Sequence, residues 1–119
     1  MNIRKWGIYR ANLDPVIGSE QGRSRPVLVI SEDEINNLLN TVNVLPITSR
    51  KQGRIIYPNE FLIDEAKYGL DNESIVLCHQ IRTLDKQRLS FEYGLINEET
   101  SQIEILESLS FQLGIEYNK

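Results

Sequence analysis

The chain has one cysteine, Cys78, and one histidine, His79, among 119 residues. A lone thiol forms no internal disulfide, which points to a reducing compartment such as the cytoplasm. No carboxylates cluster at ligand spacing with either residue, so the sequence offers no metal constellation and no cofactor is expected. If that segment is a strand, Cys78 and His79 face opposite ways and share no site. Apolar runs last only a few residues, well short of the roughly 18 that a membrane span needs. The start also lacks a charged region followed by an apolar one, so neither secretion nor membrane insertion is expected. A P-loop, a dinucleotide fingerprint and a serine elbow are missing too, which removes those enzyme classes. Without repeats, linkers or low-complexity segments, residues 1–119 read as one domain, able to bury about two-thirds of its unfolded surface.

What is present is unevenly placed. The net charge of -4 argues against a general nucleic-acid coat protein. Yet residues 1–58 carry eight Lys and Arg against five Asp and Glu, while residues 59–119 carry five against twelve. Arg4, Lys5, Arg10, Arg23, Arg25, Arg50, Lys51 and Arg54 all fall in the basic half. They form either a local phosphate-binding face or a scattered solvated surface. Within this half the stretch Gly18–Ile30, GSEQGRSRPVLVI, fastens a glycine-punctuated polar loop to a continuous apolar run. Val27 to Ile30 suit a strand packed on both faces, with Pro26 marking its start. The proline ring holds Arg25 in extended backbone at the boundary between loop and core.

Short strands dominate the rest. Gly7 to Leu13 alternates as a half-buried strand, with Tyr9, Ala11 and Leu13 on one side and Ile8, Arg10 and Asn12 on the other. A long hairpin then leads into the strand Arg25–Ser31. After Ser31, the acidic trio Glu32, Asp33 and Glu34 with Ile35, Leu38 and Leu39 predicts a helix of about two turns, roughly seven residues. Thr41 to Thr48, TVNVLPIT, is a strand whose Pro46 argues for an edge or a bulge. A basic turn over Ser49 to Gly53 precedes short strands at Arg54–Tyr57 and Phe61–Ile63, and Ser74–Gln80 and Phe91–Ile96 follow. Ile81–Leu89 mixes apolar and charged residues without a clear period. From Asn97 the spacing of Ile103, Leu106, Leu109 and Leu113 predicts an amphipathic helix ending near Gly114. The expected fold is mainly β, a barrel of short strands with flanking helices.

The groups left to carry chemistry are Glu20, Arg25 and Thr48, with Ser19, Gln21, Ser49 and Gln80 as polar company and Arg23, Arg50 and Lys51 as nearby cations. Cleavage of RNA suits such a set. The ribose 2′-hydroxyl is already positioned next to its phosphate, so the protein must orient it, move protons and stabilise a dianionic phosphorane. The forked donors of arginine match phosphate oxygens, and a threonine hydroxyl turns to suit. His79 is either a structural histidine or a general base.

The same residues carry a resemblance. WGIYRANLDP, then GSEQG followed two residues later by RPVLVIS, then VLPITS, GLDNESIV and HQIRTLDKQRL resemble the MazF/PemK family of toxin endoribonucleases. The match runs from about Trp6 to Leu113. It implies an SH3-like barrel with flanking helices and a C-terminal helix, a homodimer, and metal-independent, sequence-specific cleavage of single-stranded mRNA. Inhibition by a cognate antitoxin is implied as well. Carried over residue by residue, it assigns Arg25 to acid/base catalysis, Thr48 to the transition state and Glu20 to activity. Since a guanidinium gives up its proton reluctantly, charge stabilisation is the expected role of Arg25, with Glu20 a candidate proton acceptor. Two positions depart from the pattern: Arg23 and Ser24 follow Gly22 where many members have a second glycine, and His79 stands where an acidic residue is common. The alternatives are a gyrase-poisoning toxin of the CcdB type and a barrel that binds RNA without cutting it. The CcdB type depends on a tryptophan near its end, whereas the only tryptophan here is Trp6.

Overall fold

A computed structural model describes residues 1–116. The final residues, 117–119, which complete the ending compared with the CcdB type, lie outside the described residues. Along the chain come β1 (Gly7–Asn12), β2 (Ser24–Val29), α1 (Asp33–Leu38), β3 (Thr41–Ser49), β4 (Glu60–Ile63) and β5 (Ser74–Leu77). A 3-10 turn at Cys78–Gln80, β6 (Arg82–Asp85), a second 3-10 turn at Lys86–Arg88, β7 (Leu89–Leu95) and α2 (Glu99–Leu113) complete it. The strands form one antiparallel sheet in the order β4-β5-β3-β2-β1-β7, with β6 also on β3. This is the expected mainly β architecture with flanking helices.

Val27, Leu28 and Val29 are fully buried, as a strand covered on both faces requires. Val27 and Val29 join Tyr9, Ala11, Leu13, Val42 and Val44 in one core, while Leu28 joins Ile8, Leu45, Ile47 and Ile105 in the other. Burying such a side chain contributes roughly 1.5–3 kcal/mol, so β2 anchors both cores. β1 was expected to be apolar on one side alone, but Ile8 is fully buried too, because it joins the second core with Leu28, Leu45, Ile96 and Ile105.

Both prolines sit differently from expectation. β2 begins at Ser24, two residues before Pro26, because Ser24 and Arg25 already pair with Asn12 and Ala11. Pro26 is tolerated there since β3 joins only at Val27. β3 is central rather than an edge. Its outer neighbour is β6 through Val44 and β5 from Ile47, and Pro46 falls in the gap between them. β5 and β6 are two halves of one interrupted strand along β3, and the register slips by the three residues of the turn between them. Cys78 and His79 therefore lie on a turn and not on the strand predicted for Ser74–Gln80.

Both expected helices form, and three segments differ in detail from the reading of the sequence. α1 has six residues and no side-chain cap, and its buried residue is Asn36. Asn36 is locked to Ser31, whose hydroxyl donates to Asn36 Oδ1 at 2.5 Å and whose carbonyl accepts from Asn36 Nδ2 at 2.8 Å. Ile35, Leu38 and Leu39, whose spacing announces the helix, are consequently turned out, at 45%, 78% and 49% exposure. Arg54–Tyr57 forms no strand, because it wraps around buried Glu60 instead. In α2 the N-cap position is Glu98 rather than Asn97, and Gly114 ends the helix with φ +69°. Its buried residue is Ile105, while Ile103, Leu106 and Leu109 are half-buried, Leu109 packing against the same core, and Leu113 is exposed.

Candidate active site

The β2–β3 ladder pairs Val29 with Val44, Leu28 with Leu45 and Val27 with Pro46, then stops. Continuing that register sets Arg25 opposite Thr48, at the point where β3 has turned to pair with β5. The splayed strand ends bound a cleft of about 310 Å³, lined by Arg10, Arg23, Arg25, Thr48, Ser49 and Tyr93 among others. Within it Arg25 Nη1 donates to Thr48 Oγ1 at 3.4 Å, while Arg25 Nε donates to the Gly22 carbonyl at 2.8 Å. The second bond fixes the plane of the fork. Among the described residues Nη2 has no partner, so it is available to an incoming oxygen.

The preceding loop is tied down. Gln21 N–H donates to Gln80 Oε1 at 3.1 Å, and Gln80 Nε2 donates to the Ser19 carbonyl at 3.2 Å. Gln80 can do this because the Cys78–Gln80 turn carries it out of the strand. Asp14 Oδ1 accepts from Arg23 N–H at 2.8 Å, and a Cβ on Gly22 would lie 2.8 Å from that same oxygen. A larger residue at Gly22 would therefore have to displace the side chains of Asp14 and Val16. Arg23, standing where many resembling chains have glycine, adopts φ +63°. Its left-handed backbone costs roughly 1–2 kcal/mol and is held by the Asp14 contact.

The structure brings Arg25, Thr48, Arg23 and Ser49 into one cleft and leaves the other candidates around it. Glu20, Ser19 and Gln80 line a separate hollow of about 460 Å³, which shares no lining residue with the cleft, together with exposed His79. Glu20 Oε1 accepts from Ile17 N–H at 2.8 Å, and among the described residues no hydrogen bond joins Glu20 to Arg25 or Thr48. Cys78 is buried, and burial pushes its thiol up to about 12. It therefore carries no thiolate near neutrality.

The cationic surface read from the sequence divides in two. Arg4 pairs with Glu92, Lys5 with Glu32, Arg50 with Glu73 and Arg54 with Glu60. Arg50 also donates twice to the Arg54 carbonyl, so it braces the turn after β3 rather than facing the cleft. Among the described residues Arg10, Arg23, Arg25 and Lys51 have no ion-pair partner, and the three arginines line the cleft. Sequence reasoning missed Tyr93, whose Oη accepts from Arg10 Nη1 at 2.6 Å. The alternation Phe91-Glu92-Tyr93 was the available signal.

Three arginines and the hydroxyls of Ser24, Thr48, Ser49, Ser74 and Tyr93, with exposed Asp71 the one carboxylate residue among the described residues that line it, define a small β-rich protein with a cleft suited to a phosphodiester anion. The chain belongs to the PemK-like, MazF-like toxins of type II toxin-antitoxin systems, whose family model matches residues 4–112. It is 42% identical over 113 residues to the endoribonuclease MazF of Staphylococcus epidermidis, covering 95% of this chain and 92% of that one. Among solved structures it resembles MazF of Deinococcus radiodurans with a TM-score of 0.80 at 28% identity, covering 97% and 99% of the two chains. A MazE-MazF structure from the same organism matches with a TM-score of 0.74 at 27% identity, covering 98% and 99%.

Proposed function

We propose that this protein is a toxin endoribonuclease that cleaves single-stranded RNA at the Arg25–Thr48 cleft. The observation that carries the reading is the convergence of Arg25 and Thr48 where the β2–β3 ladder opens, with Arg10 and Arg23 beside them. The 2′-hydroxyl attacks the adjacent phosphorus, the 5′-oxygen leaves, and the products are a 2′,3′-cyclic phosphate and a 5′-hydroxyl. Negative charge develops on the non-bridging oxygens of the phosphorane. Arg25, with Nη2 unengaged and its plane fixed by Gly22, meets one of them, and the Thr48 hydroxyl meets it or its neighbour. Because the substrate supplies the nucleophile, the step calls for no metal-bound water.

The partners follow from the same surface. An antitoxin with an acidic, partly disordered segment would order in the cationic cleft and exclude RNA. A homodimer belongs to this reading as well, since Ile35 and Leu38 on α1, with Leu39 just after it, leave apolar surface that the single chain does not cover. Sedimentation at micromolar concentration should show twice the chain mass.

Cleavage of a complex RNA pool by purified protein, with 5′-end sequencing of the fragments, tests the reading. Arg25→Ala and Thr48→Val should each lower the rate by on the order of a hundredfold while the fold survives. Arg25→Lys keeps the charge but loses both the fork and the Nε bond to Gly22, so it should be nearly as damaging. Cleavage by all three at the wild-type rate would refute the assignment.

A further inference from the structure

We propose that Phe91 and Tyr93 on β7, with Arg10 on β1, form a base-stacking subsite that extends the cleft along the RNA strand. The inference rests on the RNA reading above and adds to it a surface outside the Arg25–Thr48 pair. Arg10 stands opposite Phe91 in the β1–β7 ladder. Glu92, between the two aromatics, is drawn away into its pair with Arg4. The two rings are 4.8 Å apart between centroids and tilted by 47°, so Tyr93 backs Phe91 and limits its motion. Phe91 is 48% exposed between exposed Ser90 and Glu92, which leaves a ring face uncovered by the core. A single exposed phenylalanine needs no explanation. This one is held by a tyrosine that lines the cleft, and that tyrosine accepts a hydrogen bond from an arginine of the cleft.

The strand is also braced from behind. The backbones of Tyr68 and Gly69 lie so close to those of Tyr93 and Gly94 that a Cβ at either glycine would fall within 2.5 Å of the facing carbonyl oxygen. The platform is thus fixed relative to Leu70, Asp71 and Asn72, which line the cleft on that side. A splayed base lying on Phe91 would place its own phosphate toward Arg10, which has no carboxylate partner among the described residues. Stacking tolerates every base because each has a π face, and Arg10 supplies the charge contact that the backbone needs. The subsite therefore selects for single-stranded RNA continuing beyond the cleaved bond, without naming a base.

The test uses full-length protein and a fluorescein-labelled oligoribonucleotide spanning a mapped cleavage site, with deoxyribose at the cut position so that binding is read alone. Phe91→Ala should weaken binding about fivefold or more, the lower end of what one stacked base supplies, and Phe91→Trp should restore it. Removing one base at a time from the flanking nucleotides should identify a position whose loss weakens wild type but leaves Phe91→Ala unchanged. If Phe91→Ala binds like wild type, or if every abasic position weakens both proteins equally, the subsite is refuted. Should wild type cut the RNA while Arg25→Ala does not, such a result sinks the subsite alone. If wild type neither binds nor cuts any RNA, the RNA reading and the subsite fall together.

Discussion

Glu60 offers a test of how the loop after Thr48 and Ser49 is held. Its side chain is only 2% exposed and accepts from Arg54 Nη1 at 2.8 Å, Arg54 Nη2 at 2.7 Å and Tyr57 N–H at 3.0 Å. Arg54 in turn offers its carbonyl to Arg50, so the carboxylate holds the loop that follows Thr48 and Ser49. Removing one partner of a fully buried ion pair costs about 3–5 kcal/mol. Here Arg54 keeps 32% of its side chain exposed and rehydrates in part, so Glu60→Ala should cost about 2–3 kcal/mol. At about 4 °C per kcal/mol for a chain of this size, the melting temperature should fall by about 8–12 °C. The Arg54 guanidinium, opposed by burial and helped by the Tyr57 N–H, holds the Glu60 carboxyl below the usual carboxylate range. A carboxyl depressed in the folded state contributes stability that is complete above its unfolded pKa and is lost as pH falls through its folded one. The gap in melting temperature between wild type and Glu60→Gln, followed by circular dichroism, should therefore hold from neutral pH down to about 4.5 and close below it. An unchanged melting temperature at neutral pH, or a gap that widens in acid, would refute the argument.

Two further substitutions separate positioning from chemistry. Glu20→Gln preserves the acceptor for Ile17 N–H and should retain most of the cleavage rate, whereas Glu20→Ala frees the loop and should lower it. Equal and severe losses in both would make Glu20 the proton acceptor instead. Gly69→Ala forces a side chain into φ +83° with its Cβ 2.2 Å from the Tyr93 carbonyl oxygen, a backbone clash that no rotamer relieves. Strain and overpacking each cost about 1–3 kcal/mol, so the variant should melt measurably lower and bind RNA more weakly. Wild-type melting would contradict the packing described.

How far the sequence reached depends on which residues are asked. Val27–Val29 announce their strand because adjacent β-branched and bulky apolar residues just after Pro26 suit a strand covered on both faces. The strands at Phe61–Ile63 and Phe91–Ile96 and the C-terminal helix were legible for similar local reasons, to within a residue or two. Arg25 and Thr48 were legible as chemistry and as matches to a known pattern, but their meeting is a matter of register, set by where β3 changes neighbours. α1 forms where its acidic start and apolar spacing announce it, but Asn36, through Ser31, decides which side faces in. Nothing in the sequence singles out Glu60, one residue ahead of the strand at Phe61–Ile63, and only the folded chain shows Arg54 reaching it. His79 was weighed on a strand it does not occupy, because a three-residue turn interrupts the pairing with β3.

The central claim is that the substrate's own 2′-hydroxyl is the nucleophile and that Arg25 and Thr48 stabilise the charge it creates. It is tested most directly by cutting a defined RNA in excess chelator and analysing the new ends, beside an RNA carrying deoxyribose at the cut position. The account predicts a 2′,3′-cyclic phosphate and a 5′-hydroxyl from the first RNA, and binding without cleavage for the second. Fragments bearing 5′-phosphate, cleavage of the deoxy-substituted strand, or activity that disappears with chelator and returns with a divalent metal would contradict it.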